Sequence, residues 1–143
     1  MNITAIVPVW NGQELLRRLL DSLEQQTLLP TELLVVDNGS TDGAPDLARE
    51  RGARVIEMGH NAGFAPAVNR AIKEATGDRI AVLNSDVVLA PDYLERLAAS
   101  DAWFATGKIL SESSPQTIDG TFDLVCRGGT AWRAGNGKLD GLF

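Results

Sequence analysis

Four short polar clusters each follow an apolar run, and their residue types suit a phosphorylated ligand. They are Pro8-Val9-Trp10-Asn11, Asp37-Asn38-Gly39-Ser40, His60-Asn61-Ala62-Gly63 and Asn84-Ser85-Asp86. Taken singly, an Asp or Asn after a strand caps the next helix as readily as it binds anything. Four such clusters at the same end of successive runs point to a ligand site, because open α/β sheets bind beyond the carboxyl ends of their strands. The turn after the first run, Pro8 to Gly12, is not G-x-G-x-x-G, and no P-loop or G-x-S-x-G elbow occurs. His60 is the single histidine, which leaves a hydrolase triad without support. A site with no glycine cradle needs another means of holding a diphosphate. Asp86 supplies one, since Mg²⁺ and Mn²⁺ often bind through one or two carboxylates plus substrate phosphates.

The elements that must position these clusters alternate in type. Ile3 to Val9 reads as a buried strand. Gln13 to Gln26 carries Leu15, Leu16, Leu19, Leu20 and Leu23 on one helical face. Leu33 to Val36 is a second strand, and Asp42 or Thr41 can cap the helix carrying Leu47 and Ala48, which Gly52 ends. Val55-Ile56 with Met58 forms a third strand. Phe64, Val68 and Ile72 mark a helix that stops near Gly77, Ile80 to Leu83 a fourth strand, and Pro91 to Ala99 a short helix. This is the α/β pattern of a mostly parallel sheet with helices on both faces. Residues 1–110 form that α/β domain. Trp103 to Leu110 reads as a strand, and 111–143 as short antiparallel strands or loops of an incomplete second region.

Bulk properties narrow the class. The chain has 143 residues, 44% hydrophobic and 22% charged, enough for one core. A net charge of −6 argues against a grip on nucleic acid phosphates. Cys126 is the only cysteine, which excludes an internal disulfide and suits a reducing compartment. No signal peptide is present, and no run approaches the roughly 18 apolar residues of a membrane span. The expected location is cytoplasmic, with a peripheral place at the inner membrane face compatible with it.

Ile6-Val7-Pro8-Val9-Trp10-Asn11, Val35-Val36-Asp37-Asn38-Gly39-Ser40-Thr41-Asp42, Asn61-Ala62-Gly63-Phe64 with Asn69, and Leu83-Asn84-Ser85-Asp86 resemble, in order and spacing, family 2 glycosyltransferases of the GT-A fold. The flavour is that of the bacterial rhamnosyltransferase-type members, with Asn-x-Asp where others carry Asp-x-Asp. The resemblance covers residues 3–110 well and the tail loosely. It implies that Pro8, Val9, Trp10 and Asn11 line a base pocket and that Asp37 accepts a pyrimidine N3–H. Asn38, Gly63, Asn84 and Ser85 complete the nucleotide site, with Asn84 towards the ribose. Asp86 would bind Mn²⁺ or Mg²⁺ bridging the phosphates, and Asn84 in place of a carboxylate softens that requirement. Asn61 and Asn69 brace the loop and helix nearby.

The implied activity is inverting transfer of sugar from a UDP- or dTDP-sugar to an acceptor hydroxyl, on a glycan or a lipid-linked molecule. The family's general base lies further downstream. No Glu follows Glu112, and Asp119, Asp123 and Asp140 stand outside such an acidic cluster, so the chain reads as a donor-binding piece without an evident base. A sheet cut there would expose apolar surface and favour a homo-oligomer. A nucleotide-binding module without chemistry and a sugar-phosphate nucleotidyltransferase are the competing classes. The latter needs a basic glycine-rich turn that Val9 to Gly12 does not supply.

Several residues are expected to be bland. His60 reads as a solvated loop residue, Trp103 and Trp132 as packing groups, and Cys126 as a small buried hydrophobe. Trp10 is open between base stacking and core packing. Arg127 and Arg133 read as surface residues, and Arg17-Arg18 as the solvated side of its helix.

Overall fold

A computed structural model describes residues 1–121, 123–126 and 131–141, with the backbone alone at 123–125 and 131–132. It divides into two compact units, Met1–Glu95 and Arg96–Phe143. The first holds four parallel strands, β1 (Ile3–Val9), β2 (Glu32–Asp37), β3 (Arg54–Glu57) and β4 (Arg79–Val82), in the order β3-β2-β1-β4. Between them lie helices α1 (Gln13–Glu24), α2 (Ala44–Glu50) and α3 (Phe64–Glu74).

Every residue of β1 is buried, because helices cover both faces of this central strand. Side chains alternate faces along a strand. Ala5, Val7, Val9 and Val35 pack with Leu16, Leu19, Leu20 and Leu23 of α1 and with Ala44, Leu47 and Ala48 of α2. Ile6, Leu34, Val36 and Ile56 face the other way, onto Ala67 and Ala71 of α3. The helix expected at Phe64 to Gly77 forms but ends at Glu74; of the residues that marked it Val68 is buried, while Phe64 and Ile72 are exposed and Ala67 and Ala71 lie on the sheet. Alanines let the helix axis approach the sheet, and larger side chains are turned to its flanks. Leu15 of α1 is likewise exposed.

β1 pairs with β4 only from Ile3–Arg79 to Ile6–Val82, with one further bond from the Leu83 N–H to the Ile6 carbonyl at 2.9 Å. The next β1 residue on that side is Pro8, which has no N–H to continue the ladder. β1 continues along β2 to the pair Val9–Asp37. The chain after β4 is therefore free to leave the sheet as Asn84-Ser85-Asp86.

The opposite, amino-terminal end is closed by one carboxylate. Glu32 accepts hydrogen bonds from the buried Thr4 hydroxyl (2.7 Å), the Thr76 N–H (2.9 Å) and hydroxyl (3.0 Å), and Arg54 (3.2 Å). These bonds, the Thr4 hydroxyl first, pull the Glu32 pKa down to about 2. Thr4, Glu32, Arg54 and the Thr76-Gly77 turn thus join the starts of all four strands.

After β4, the side chain of Gln26 accepts from the Leu94 N–H at 3.0 Å and donates to the Ala90 carbonyl at 2.7 Å, anchoring the start of a short helix α4 (Tyr93–Ala98) to the end of α1. The second unit contains two antiparallel pairs, β5 (Ile109–Ser111) with β6 (Ser114–Gly120) and β7 (Asp123–Val125) with β8 (Ala131–Arg133). The strand expected over 103–110 shrinks to β5, and Trp103 is fully exposed rather than packed. Its neighbours run Asp101 to Gly107 without a strand to pair with, so nothing folds over the ring. Cys126 is exposed, not buried. Arg127 and the packing of Trp132 fall outside the described residues.

Candidate nucleotide-sugar site

The carboxyl-terminal rim is built by side chains bonding to the backbone of neighbouring loops. Asn11 sits at φ 59°, the one non-glycine residue with positive φ among the described residues, a conformation that asparagine tolerates better than most residue types. Its N–H donates to the Ser40 hydroxyl at 2.8 Å, and its side-chain oxygen accepts the Thr41 N–H at 2.9 Å. Asp42 accepts the Gln13 N–H (2.9 Å) on one oxygen and the Ala44 N–H (3.0 Å) on the other. It therefore serves the first turns of α1 and α2 together, where the sequence offered it for one helix only. The loops after β1 and β2 are stitched into a single structure.

Asp37 and Asn38 end β2 almost wholly buried, at 5% and 4% exposure. Both Asp37 carboxylate oxygens lie within bonding distance of the Ser40 N–H, at 3.0 and 3.3 Å, closing a tight turn. The Asp37 carbonyl accepts the Met58 N–H at 2.8 Å. Asn38 donates from Nδ2 to the Gly63 carbonyl at 3.4 Å, and its Oδ1 is buried with no hydrogen-bond partner. A buried acceptor left unpaired is unfavourable by about 1–3 kcal/mol. Gly63 is held in turn by the Asn61 side-chain oxygen, which accepts its N–H at 3.0 Å. Asn61 thus braces this loop, as expected of it. Gly39, at φ +78°, packs so closely on His60 that an added Cβ would lie 2.9 Å from the His60 Cα.

Two aromatic rings stand at this end of the sheet. Trp10 is 58% exposed, so it is not a core residue. Phe64 is 55% exposed and opens α3, one turn before Ala67 on the same helical side. Helical spacing places Phe64 on α3 but not its exposure, which follows from its position in the first turn.

Asn84 and Asp86 are exposed and Ser85 half-buried in the turn after β4. Among the described residues no group of three His, Cys, Asp or Glu side chains converges to hold a metal. The donor set at Asp86 fits a divalent cation shared with a diphosphate, one carboxylate from protein and the rest from phosphate and water, rather than a site made by protein alone. Two of the three late carboxylates are ion-paired, and the side chain of the third, Asp123, lies outside the described residues. Asp119 pairs with Arg133 at 2.6 Å, and Asp140 with Lys108, whose ammonium lowers its pKa.

Comparison with known proteins gives this arrangement a family. Residues 4–102 match the profile of Glycosyl transferase family 2. The N-acetylglucosaminyl-diphospho-decaprenol L-rhamnosyltransferase of Mycobacterium tuberculosis is 36% identical over 108 residues, covering 66% of this chain and 35% of that protein. Among solved structures, S. aureus TarS in complex with UDP superposes with a TM-score of 0.63 at 30% identity, over 69% of this chain and 31% of that one. The mannosyltransferase of Pyrobaculum calidifontis in complex with GDP-Man and Mn²⁺ gives 0.62 at 29% identity, over 70% and 33%. The chain spans about a third of the length of these relatives. The parallel sheet with flanking helices is the GT-A layout that the sequence resemblance implied. No described helix is long and apolar enough to cross a membrane. By its sequence profile and its fold, the chain belongs to glycosyltransferase family 2.

Proposed function

We propose that this chain binds a nucleoside-diphosphate sugar, a UDP- or dTDP-sugar, at the carboxyl-terminal rim, and supplies the donor side of an inverting transfer to an acceptor hydroxyl. The observation that carries the reading is the buried, unpartnered Oδ1 of Asn38 at the end of β2. It supports a donor from the nucleotide base entering beside Pro8 to Asn11, with Trp10 exposed for stacking. Asp37 shares a single N–H, that of Ser40, between its two oxygens and so keeps lone pairs for a base N–H, and it is proposed as the acceptor with the Asn38 Oδ1 beside it. Asp37 shapes the turn that carries Asn38.

Asn84 and Ser85 are proposed to face the ribose and phosphates, and Asp86 to hold Mn²⁺ or Mg²⁺ jointly with them. Such an ion, when bound, neutralises charge on the diphosphate leaving group. Asp119 and Asp140 are ion-paired, which supports a second element of the reading: neither is set up as a general base, and the 143-residue chain binds donor without transferring sugar. Losing a positioned base removes about 10²–10⁴ of rate, and losing acceptor positioning removes more.

The test is calorimetry with UDP and dTDP in the presence of Mn²⁺, followed by transfer assays with their sugars. Binding without transfer is expected. Absence of nucleotide binding, or transfer at the rate of a full-length relative, would overturn the respective halves of the reading.

A further inference from the structure

Two polar side chains are buried at the carboxyl-terminal end of α1, Ser22 at 7% exposure and Gln26, just past the helix, at 6%. Burying a polar group is costly unless it is hydrogen-bonded. Both are bonded to the same stretch of chain, the one that follows Asp86. The Ser22 hydroxyl donates its proton to the Leu19 carbonyl at 2.7 Å, and its lone pairs accept the Leu89 N–H at 3.0 Å. Gln26 holds Ala90 and Leu94 with its two side-chain ends, at 2.7 and 3.0 Å, and the Thr27 N–H donates to the Pro91 carbonyl at 2.8 Å. Leu89 and Leu94 belong to the core cluster that contains Leu19, Leu20 and Leu23 of α1.

On the other side of the turn, Leu83 is buried and its N–H is bonded to the Ile6 carbonyl at 2.9 Å. The sheet's hold on the chain ends there, because Pro8 has no N–H to offer. Asn84, Ser85, Asp86, Val87 and Val88 therefore run between two fixed points, Leu83 on the sheet and Leu89 on α1.

From this geometry we infer that Ser22 is a positioning residue for Asp86: by fixing Leu89 it sets where the carboxylate of the turn stands, with Gln26 securing the chain behind it. The inference rests on the role proposed for Asp86 and extends that site to a residue on α1. A ligand carboxylate on a turn held at both ends has less freedom to lose when an ion and a diphosphate engage it. Without the Ser22 hydroxyl, the Leu89 N–H loses its acceptor and the turn is held at its Leu83 end alone. The effect falls on the metal-dependent part of donor binding. The loops carrying Trp10, Asn11 and Asp37 are tied by bonds of their own, from Asn11 to Ser40 and Thr41. One lost hydrogen bond corresponds to about 3–10-fold in affinity.

The experiment is calorimetry of UDP, with Mn²⁺ and with chelator, on the full 143-residue chain and on its Ser22→Ala, Ser22→Thr and Asp86→Ala variants. Ser22→Ala should weaken UDP binding about 3–10-fold with Mn²⁺ and leave it unchanged with chelator. Ser22→Thr keeps the hydroxyl and should bind as the native chain does. Added to Asp86→Ala, Ser22→Ala should cause no further loss, since it acts through that carboxylate. Hydrogen exchange should show the amides from Asn84 to Leu89 opening faster in Ser22→Ala. Circular dichroism establishes that each variant is folded. If Ser22→Ala is not, Ser22→Cys replaces it, with similar volume and a weaker acceptor. An equal loss with Mn²⁺ and with chelator, or a Ser22→Thr variant that behaves as Ser22→Ala does, assigns the effect to packing and overturns the inference. Mn²⁺-dependent binding or exchange that is unaltered in Ser22→Ala overturns it while leaving Asp86 at the metal. UDP binding by the native chain that is indifferent to Mn²⁺, or no UDP binding at all, overturns the role of Asp86 and this inference together.

Discussion

The side-chain oxygen of Asn11 accepts the backbone N–H of Thr41 at 2.9 Å, across 30 positions of sequence, and so ties the loop after β1 to the loop after β2. The bond depends on Asn11 standing at φ 59°. Asn11→Gly should lose the bond but accept the backbone; Asn11→Ala should lose the bond and strain the backbone. One lost bond is about 1 kcal/mol, and a non-glycine residue in this region adds roughly 1–2 kcal/mol. Urea unfolding should rank native above Asn11→Gly above Asn11→Ala, and nucleotide affinity should fall in the same order.

Gly39 and Gly59 have nearly the same backbone, φ +78° and +74°, but different surroundings. A Cβ at Gly39 meets the His60 backbone at 2.9 Å, and a Cβ at Gly59 meets nothing within 4 Å. Both alanine variants carry the conformational strain; only Gly39→Ala must also push the two loops apart. Thermal unfolding should show the larger loss for Gly39→Ala, and UDP binding should weaken in that variant alone. Equal losses would show that the Gly39–His60 contact yields freely.

Glu32 makes stability fall in acid. Its folded pKa of about 2 lies below the unfolded value near 4.3, so the carboxylate's contribution is complete above the unfolded value. As pH falls below about 5 the unfolded chain takes up the proton first, and the contribution is gone at about pH 2. Glu32→Ala should lower stability at pH 7 by about 1–3 kcal/mol, since the buried Thr4 hydroxyl loses its acceptor. It should also flatten the decline of the unfolding midpoint over that acid window. An unchanged acid slope would show that other carboxylates govern it.

Asp86 is exposed in a turn after β4 and is a member of neither core cluster. Asp86→Ala should therefore leave the unfolding temperature within about 1–2 °C of native, as surface changes are usually within ±0.5 kcal/mol. UDP should bind the native chain better with Mn²⁺ than with chelator, and the variant should bind equally in both. Metal-independent UDP binding by the native chain would remove Asp86 from any metal site.

Much of this protein can be derived from its sequence. The alternation of Ile3–Val9, Leu33 to Val36 and the later apolar runs with helical patterns is enough for a parallel sheet. Parallel strands place all their carboxyl ends on one edge, so Asn11, Asp37, Asn38 and Asp86 had to share a rim. Periodicity identifies which residues share a face, and for α1 that holds for Leu16, Leu19, Leu20 and Leu23, while Leu15 at the edge of that face is exposed. It does not say how closely two backbones approach. That distance made Ala67 and Ala71 the contact of α3 and left Ile72 exposed. Nor does residue type choose between neighbouring partners. Asp37 and Asn38 are equally able to accept a ligand N–H, and only the tertiary structure shares the Ser40 N–H between the Asp37 oxygens and leaves the Asn38 oxygen unpaired. The same holds for Asp42, which bonds to Gln13 from 29 positions away because the strand pairing brings the two helix starts together. A hydrogen bond is decided within a few tenths of an ångström, and that precision exists only once β1, β2 and α3 have packed.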